Sequence, residues 1–159
     1  MTEVDLVWFN KLKQKTEEEY KSIVSITSPA LKATVYFNSE GFHHLRYDGH
    51  RSERSKKVQQ YKFKFLKQAV EIIQKSTTIQ EYRRSLCPVG KPDHSGFRKT
   101  GLIEWFGFFA ITNFSNPTRI MVVVRKVGEN GQYHFWSVMP YWALSNKTRV
   151  IGSDKIKDE

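Results

Sequence analysis

Cysteine is almost absent from this chain: Cys87 is the only one among 159 residues. No disulfide can form within the chain, and no cysteine-based zinc site is available. That usage suits a reducing compartment, so a cytoplasmic protein is expected. Long apolar runs are also missing. Nothing approaches the ~18 apolar residues of a membrane span. The start, MTEVDLVWFNKLKQK, lacks the unbroken apolar stretch of a secretion signal, so no membrane partner is expected. There is no nucleotide-binding glycine loop, dinucleotide fingerprint or nucleophile elbow, so no cofactor is expected. His-x₃-His spacing on a helix is absent, and no cysteine or acidic cluster completes a ligand set. No metal site is therefore expected.

Acids are scarce relative to bases. Lys plus Arg number 26 against 16 Asp plus Glu, a formal charge of +10, with a pI near 9.7. That excess points to a polyanion such as RNA, although basic surfaces also arise without one. A hydrophobic content of 39% and an aromatic content of 14% support a packed core and exclude global disorder. The length fits one domain, read as residues 1–144. The polar, charged stretch 145–159 reads as a loosely held C-terminal tail.

Val4 to Val24 contains neither Gly nor Pro, and Val4, Trp8 and Leu12 recur at four-residue spacing, which predicts a helix. Leu31 to Phe37 reads as a strand. Asn38 or Ser39 then caps a short helix carrying Phe42, His43, His44, Leu45 and Arg46, which Asp48-Gly49 ends. Lys56 to Lys75 is the clearest helix, with Phe65, Ala69 and Ile72 in one row and Leu66, Val70 and Ile73 in the next. Thr77 to Arg84 reads as a strand, followed by a loop with Pro88, Gly90, Pro92 and Gly96. Three strands follow, Leu102 to Asn113, Thr118 to Val127 and Gln132 to Met139, separated at hairpin spacing. The apolar runs Trp105 to Ile111 and Ile120 to Val124 predict central strands covered on both faces, or partly covered by a partner. The expected class is α+β, with N-terminal helices packed on a four-stranded antiparallel β-meander.

The chemistry concentrates in Val35 to Lys57, VYFNSEGFHHLRYDGHRSERSKK. Imidazoles move protons near neutral pH, and guanidiniums grip phosphate. On a helix His43 and His44 point about 100° apart, so they do different work; the plain alternative is one packed and one solvated. Arg51 and Arg54 lie three apart and could fork two phosphate oxygens, with Lys56 and Lys57 beside them. Arg83 follows Tyr82 at a strand end. Arg125, after the valines of MVVVRKV, and Ser137, within HFWSVMP, are polar residues in apolar company. Paired across neighbouring strands they could stabilise a phosphoryl transition state; an edge arginine and a backbone-bonded serine are the structural alternative. Trp105, Tyr133 and Trp136 could stack a base or fill the core.

The order helix, strand, His-Leu helix, arginine turn, long helix and meander resembles the barnase–EndoU–colicin–RelE nuclease superfamily, and within it the phage-associated branch. The resemblance is carried by VYFNSEGFHHLRY, GHRSER, TIQEYRR, WFGFFAI, VVVRKVG and FWSVMP, which span about Ala33 to Pro140. It implies a small metal-independent endoribonuclease cleaving RNA by acid–base transphosphorylation, often a toxin or phage effector. His44 would be the general acid or base. Arg51, Arg54 and Arg125 would bind the scissile phosphate, and Ser137 would supply a hydroxyl. Tyr82 is a further catalytic candidate, and His43, Glu81 and Tyr82 all qualify as the second proton-transfer group. His43, Arg46, Arg51, Lys56, Lys57 and Arg83 form the expected RNA-binding set. The partners implied are RNA and an acidic inhibitor. A non-catalytic RNA- or ribosome-binding module and a protein-interaction subunit are the alternatives.

Overall fold

The computed structural model describes residues 3–112 and 117–143. Among these are four helices, α1 (Glu3–Ile23), α2 (Ser39–Arg46), α3 (Lys56–Lys64) and α4 (Leu66–Lys75). Six strands accompany them: β1 (Ser25–Ser28), β2 (Ala33–Tyr36), β3 (Glu81–Val89), β4 (Lys99–Thr112), β5 (Thr118–Val127) and β6 (Tyr133–Ala143). The expected tail, 145–159, lies outside the described residues.

The class is α+β, but the sheet is not a four-stranded antiparallel meander. Strands β3 to β6 do run antiparallel in sequence order, and β1 and β2 extend them into an open, six-stranded mixed sheet of order β1-β2-β6-β5-β4-β3. The β2–β6 pair is parallel, with Val35 opposite Tyr133 and Tyr36 opposite His134. The physical reason is the free edge of β6: part of its row of backbone donors and acceptors is met by β2. Strand β3 also runs further than its sequence suggests, through Pro88 to Val89. A proline is tolerated there because β3 is an edge strand and its missing N–H faces no partner.

The long helix expected over Lys56 to Lys75 is interrupted at Phe65, whose backbone (φ −97, ψ 6) leaves helical geometry. Ser55 caps α3 through its side chain. Phe65 is buried and joins the main core, so the kink lets α3 run beside β6 while α4 crosses β1, β4 and β5.

Ile120 to Val124 is buried throughout and so is Trp105 to Phe108, on central strands, whereas Ile111 at the end of the first run is 60% exposed. Phe106, Phe108, Ile120, Val122, Val124, Phe135 and Val138 pack under the helices. Ile103, Trp105, Met121, Val123 and Met139 form a second cluster on the other face. Each fully buried Phe or Val there contributes about 1.5–3 kcal/mol.

Candidate functional site

Helix α2 is the hinge of the site, and its placement is set locally. The Asn38 side chain accepts from Gly41 N at 3.3 Å and starts the helix. A Cβ at position 41 would collide with the Phe135 carbonyl and the Tyr20 hydroxyl. Glycine therefore lets α2 lie directly on β6. Glu40 and His44, four residues apart and on one helix face, come down over the end of β6.

On the sheet side, the register aligns chemistry in a row. Tyr36 of β2 stands opposite His134 of β6, His134 opposite Arg125 of β5, and Arg125 opposite Trp105 of β4. Neighbouring strands lie about 4.8 Å apart, so a phenol, an imidazole and a guanidinium sit side by side. The alignment depends on an irregularity between Val123 and Val124, where β6 carries one extra residue. Such a bulge shifts every later pairing by one position.

These side chains line a cleft of about 600 Å³. Glu40 and Arg51 enter from α2 and the turn after it, and Lys91 and Arg98 from the β3–β4 connection. Four cationic side chains thus face one carboxylate, so the lining carries an excess of positive charge. Arg51 is fixed by its turn. Asp48 Oδ1 accepts from His50 N and Ser52 N, both at 2.9 Å, and Arg51 N donates to Asp48 O at 3.0 Å. The bonds from Ser52 and His50 hold the Asp48 carboxyl below the usual carboxylate range. Arg51 itself has φ 63, an unusual value for a side-chain-bearing residue, held by the turn that Asp48 closes with Arg51 N and Ser52 O.

Arg125 and His134 are the two cleft residues most withdrawn from solvent chemistry. The Arg125 guanidinium lies over the Trp136 ring, 4.0 Å from its centroid. Its Nε is buried with no hydrogen-bond partner among the described residues, and it makes no ion pair there. Burial lowers the guanidinium's proton affinity, against the pull of Glu40. His134 is 6% exposed, and its Nε2 is likewise buried without a partner. Glu40 Oε2 stands 4.0 Å from that nitrogen, beyond hydrogen-bond reach. Burial first, and then the Arg125 charge, push the His134 imidazole down from its ordinary range, so it is neutral at pH 7.

The remaining expected site residues are distributed around this cleft. His44 is 4% exposed, and its ring stacks on Trp136 at 4.1 Å. Arg54 donates through Nε to His44 O at 3.1 Å and contacts His44 Nε2 through Nη2 at 3.2 Å. A guanidinium can only donate, so Nε2 accepts and the His44 proton sits on Nδ1. His44 and Arg54 therefore form a clasp behind the cleft wall. Arg125 does not meet Ser137: Ser137 pairs with Val123. Ser137 is fully buried, with its hydroxyl accepting from Lys62 Nζ at 2.8 Å. Arg125 instead faces His134, three residues before Ser137 on β6.

Tyr82 lies beside Phe106, on the helix-covered side of the sheet, and donates to Glu104 at 2.5 Å. That hydrogen bond, then burial, raises the Tyr82 phenol. Arg83 is exposed and pairs with Glu81 at 2.9 Å. Lys56 lies 5.5 Å from the Phe9 ring centroid, and Lys57 is exposed on the first turn of α3. His43 and Arg46 line a different pocket, on the far side of α2. Of the residues singled out in the sequence, the cleft takes Arg51 and Arg125. It adds Tyr36, Glu40, His134, Lys91 and Arg98, none of which sequence reasoning selected. Tyr36 and Glu40 do fall within the His-Arg segment, so their position was a usable signal.

Among the described residues no group of three His, Cys, Asp or Glu side chains is placed to hold a metal ion. Among the described residues no helix is long and apolar enough to cross a membrane. Comparison with protein-family models, with curated proteins and with solved structures finds no match to this chain.

Proposed function

We propose that this cleft binds the phosphodiester backbone of RNA and cleaves it by acid–base transphosphorylation. The observation that carries the reading is the neighbouring pair Arg125 and His134, each presenting a buried nitrogen without a partner on the wall of a basic cleft. A phosphate oxygen satisfies the guanidinium. The neutral imidazole accepts the proton of the ribose 2′-hydroxyl, which attacks the phosphorus. Glu40 then steadies the imidazolium. The leaving 5′-oxygen takes its proton from Tyr36, the neighbour of His134 on the other side, because phenols hold a transferable proton at neutral pH. Arg51, Lys91 and Arg98 extend the grip along the strand.

The superfamily resemblance supports the same reaction class with a different distribution of roles. His44 and Arg54 become positioning residues that hold Trp136, the platform under Arg125. A basic cleft of this kind is also complementary to an acidic inhibitor. A second reading, RNA binding without cleavage, is favoured by the depth of His134, whose side chain is 8% exposed.

The test compares RNA cleavage and RNA binding in the parent, His134→Gln, Arg125→Gln and His44→Ala. The nuclease reading requires His134→Gln to bind RNA and fail to cleave it. A parent that binds RNA and leaves it intact selects the second reading. A folded His134→Gln variant with parental cleavage overturns the assignment of the base.

A further inference from the structure

A second pocket of about 390 Å³ lies on the opposite side of α2 from the cleft. Its floor is made of Tyr20, Phe37 and Phe42, all at most 8% exposed. Tyr20 packs at 5.5 Å from Phe37 and 5.4 Å from Phe42, with tilted rings. The one polar atom of that floor is already satisfied, because the Tyr20 hydroxyl donates to Asn38 O at 2.5 Å. An apolar ring can therefore settle on it without stranding a donor.

The rim is basic. Lys21 is paired with Glu17 at 3.2 Å, which leaves Arg46 as the cation with capacity to spare. Its Nε is buried without a hydrogen-bond partner, and its Nη2 approaches Glu53 only to 3.9 Å. Tyr47 supports both rim groups: the His43 ring stacks on it at 4.5 Å, and the Arg46 guanidinium sits 5.2 Å from its centroid.

Val24, on the pocket wall, has φ 60, the left-handed conformation that commonly ends a helix: it follows Ile23, the last residue of α1, and its carbonyl accepts from Phe37 N at 2.8 Å. Among the described residues three non-glycines have positive φ, and two of them, Arg51 and Val24, stand on the two recesses flanking α2.

We infer that this second pocket binds one nucleotide unit, with its base on the aromatic floor and its phosphate at Arg46. Only the origin of that nucleotide rests on the RNA reading. A planar ring with an attached anion matches an aromatic floor beside a guanidinium, and the volume lies at the low end for small-ligand sites. If the nucleotide belongs to the bound strand, α2 is the ridge the strand crosses, with Glu40 facing the cleft and Phe42, His43 and Arg46 facing the pocket.

The experiment titrates adenosine 5′-monophosphate and a short 2′-deoxy oligonucleotide into the parent, Arg46→Gln, Val24→Gly and Arg125→Gln, each checked by thermal unfolding. Adenosine 5′-monophosphate should bind the parent, lose about tenfold or more in affinity in Arg46→Gln, and bind Arg125→Gln as it binds the parent. Val24→Gly should unfold at a higher temperature and bind more weakly, because glycine suits the left-handed conformation and removes a wall. A parallel loss of oligonucleotide affinity in Arg46→Gln assigns the nucleotide to a strand; a loss confined to the monophosphate assigns it to a free nucleotide. Parental binding by a folded Arg46→Gln overturns the inference. Binding that is lost in Arg125→Gln and kept in Arg46→Gln overturns it too, while the cleft reading stands. Loss in Arg46→Gln with an Arg125→Gln that binds and cleaves RNA normally leaves the pocket and removes the cleft.

Discussion

Replacing Arg125 by glutamine removes the charge at the centre of the cleft and keeps a side chain long enough to cover Trp136. Four cationic side chains line the cleft, Arg51, Lys91, Arg98 and Arg125. Each phosphate contact on a single strand contributes about 0.7 to the slope of log affinity against log salt. If all four engage phosphates, the parental slope is about −2.8, and Arg125→Gln should bring it to about −2.1. A hydrogen bond to a charged group contributes about 1.5–3 kcal/mol, so affinity for a single-stranded RNA should fall roughly 10- to 150-fold at low salt. Stability should move the other way or stay level. The guanidinium is desolvated, and its Nε has no partner among the described residues. Its removal relieves that burden and forfeits a cation–π contact of about 0.5–2 kcal/mol. Fluorescence anisotropy across a salt series, with a thermal melt of each protein, reads all three quantities. A folded Arg125→Gln protein with parental affinity and an unchanged salt slope would refute the placement of phosphate in this cleft.

His134→Gln should lower the cleavage rate about 10²- to 10⁴-fold with RNA affinity within a few fold, measured by single-turnover kinetics. Because the folded imidazole holds its proton less tightly than the unfolded chain does, the unfolded state binds more protons as the pH drops below about 6.5. Stability should therefore fall on acidification through that range, and His134→Gln should flatten the dependence in a pH series of thermal melts. Ser137→Ala should cost about 1–3 kcal/mol in chemical denaturation, because the buried Lys62 ammonium loses an acceptor. Its cleavage rate should stay parental, against a catalytic serine. Gly41→Ala should destabilise by about 1–3 kcal/mol, since the new methyl drives α2 off the Phe135 carbonyl.

Local chemistry was legible in the sequence. The Asn38 cap, the Asp48-Gly49 turn, and the differing faces of His43 and His44 all follow from residues within a few positions of one another. The His-Arg segment does flank the candidate cleft. What escaped was set by distant pairing. Strand β1 is only Ser25–Ser28, with one aliphatic residue, and is a strand because β2 pairs with it. Pro88 reads as a loop until β3 is known to be an edge. The parallel β2–β6 pairing brings Tyr36 to His134 across almost a hundred residues, and no local pattern announces it. The bulge in β6 decides that Arg125 faces His134 and not a residue nearer Ser137. A one-residue shift changes every partner on a strand, so the His134–Arg125 pair was hidden by register and not by residue type.

A ribonuclease of the proposed kind cleaves RNA through the ribose 2′-hydroxyl. The most direct measurement incubates the pure protein with an RNA and with the same sequence carrying 2′-deoxy sugars, in EDTA, and identifies the product ends by mass spectrometry. The account expects 2′,3′-cyclic phosphate and 5′-hydroxyl ends from the RNA, and an intact 2′-deoxy strand. Cleavage of the 2′-deoxy strand, ends bearing a 5′-phosphate, or an RNA left whole would contradict it.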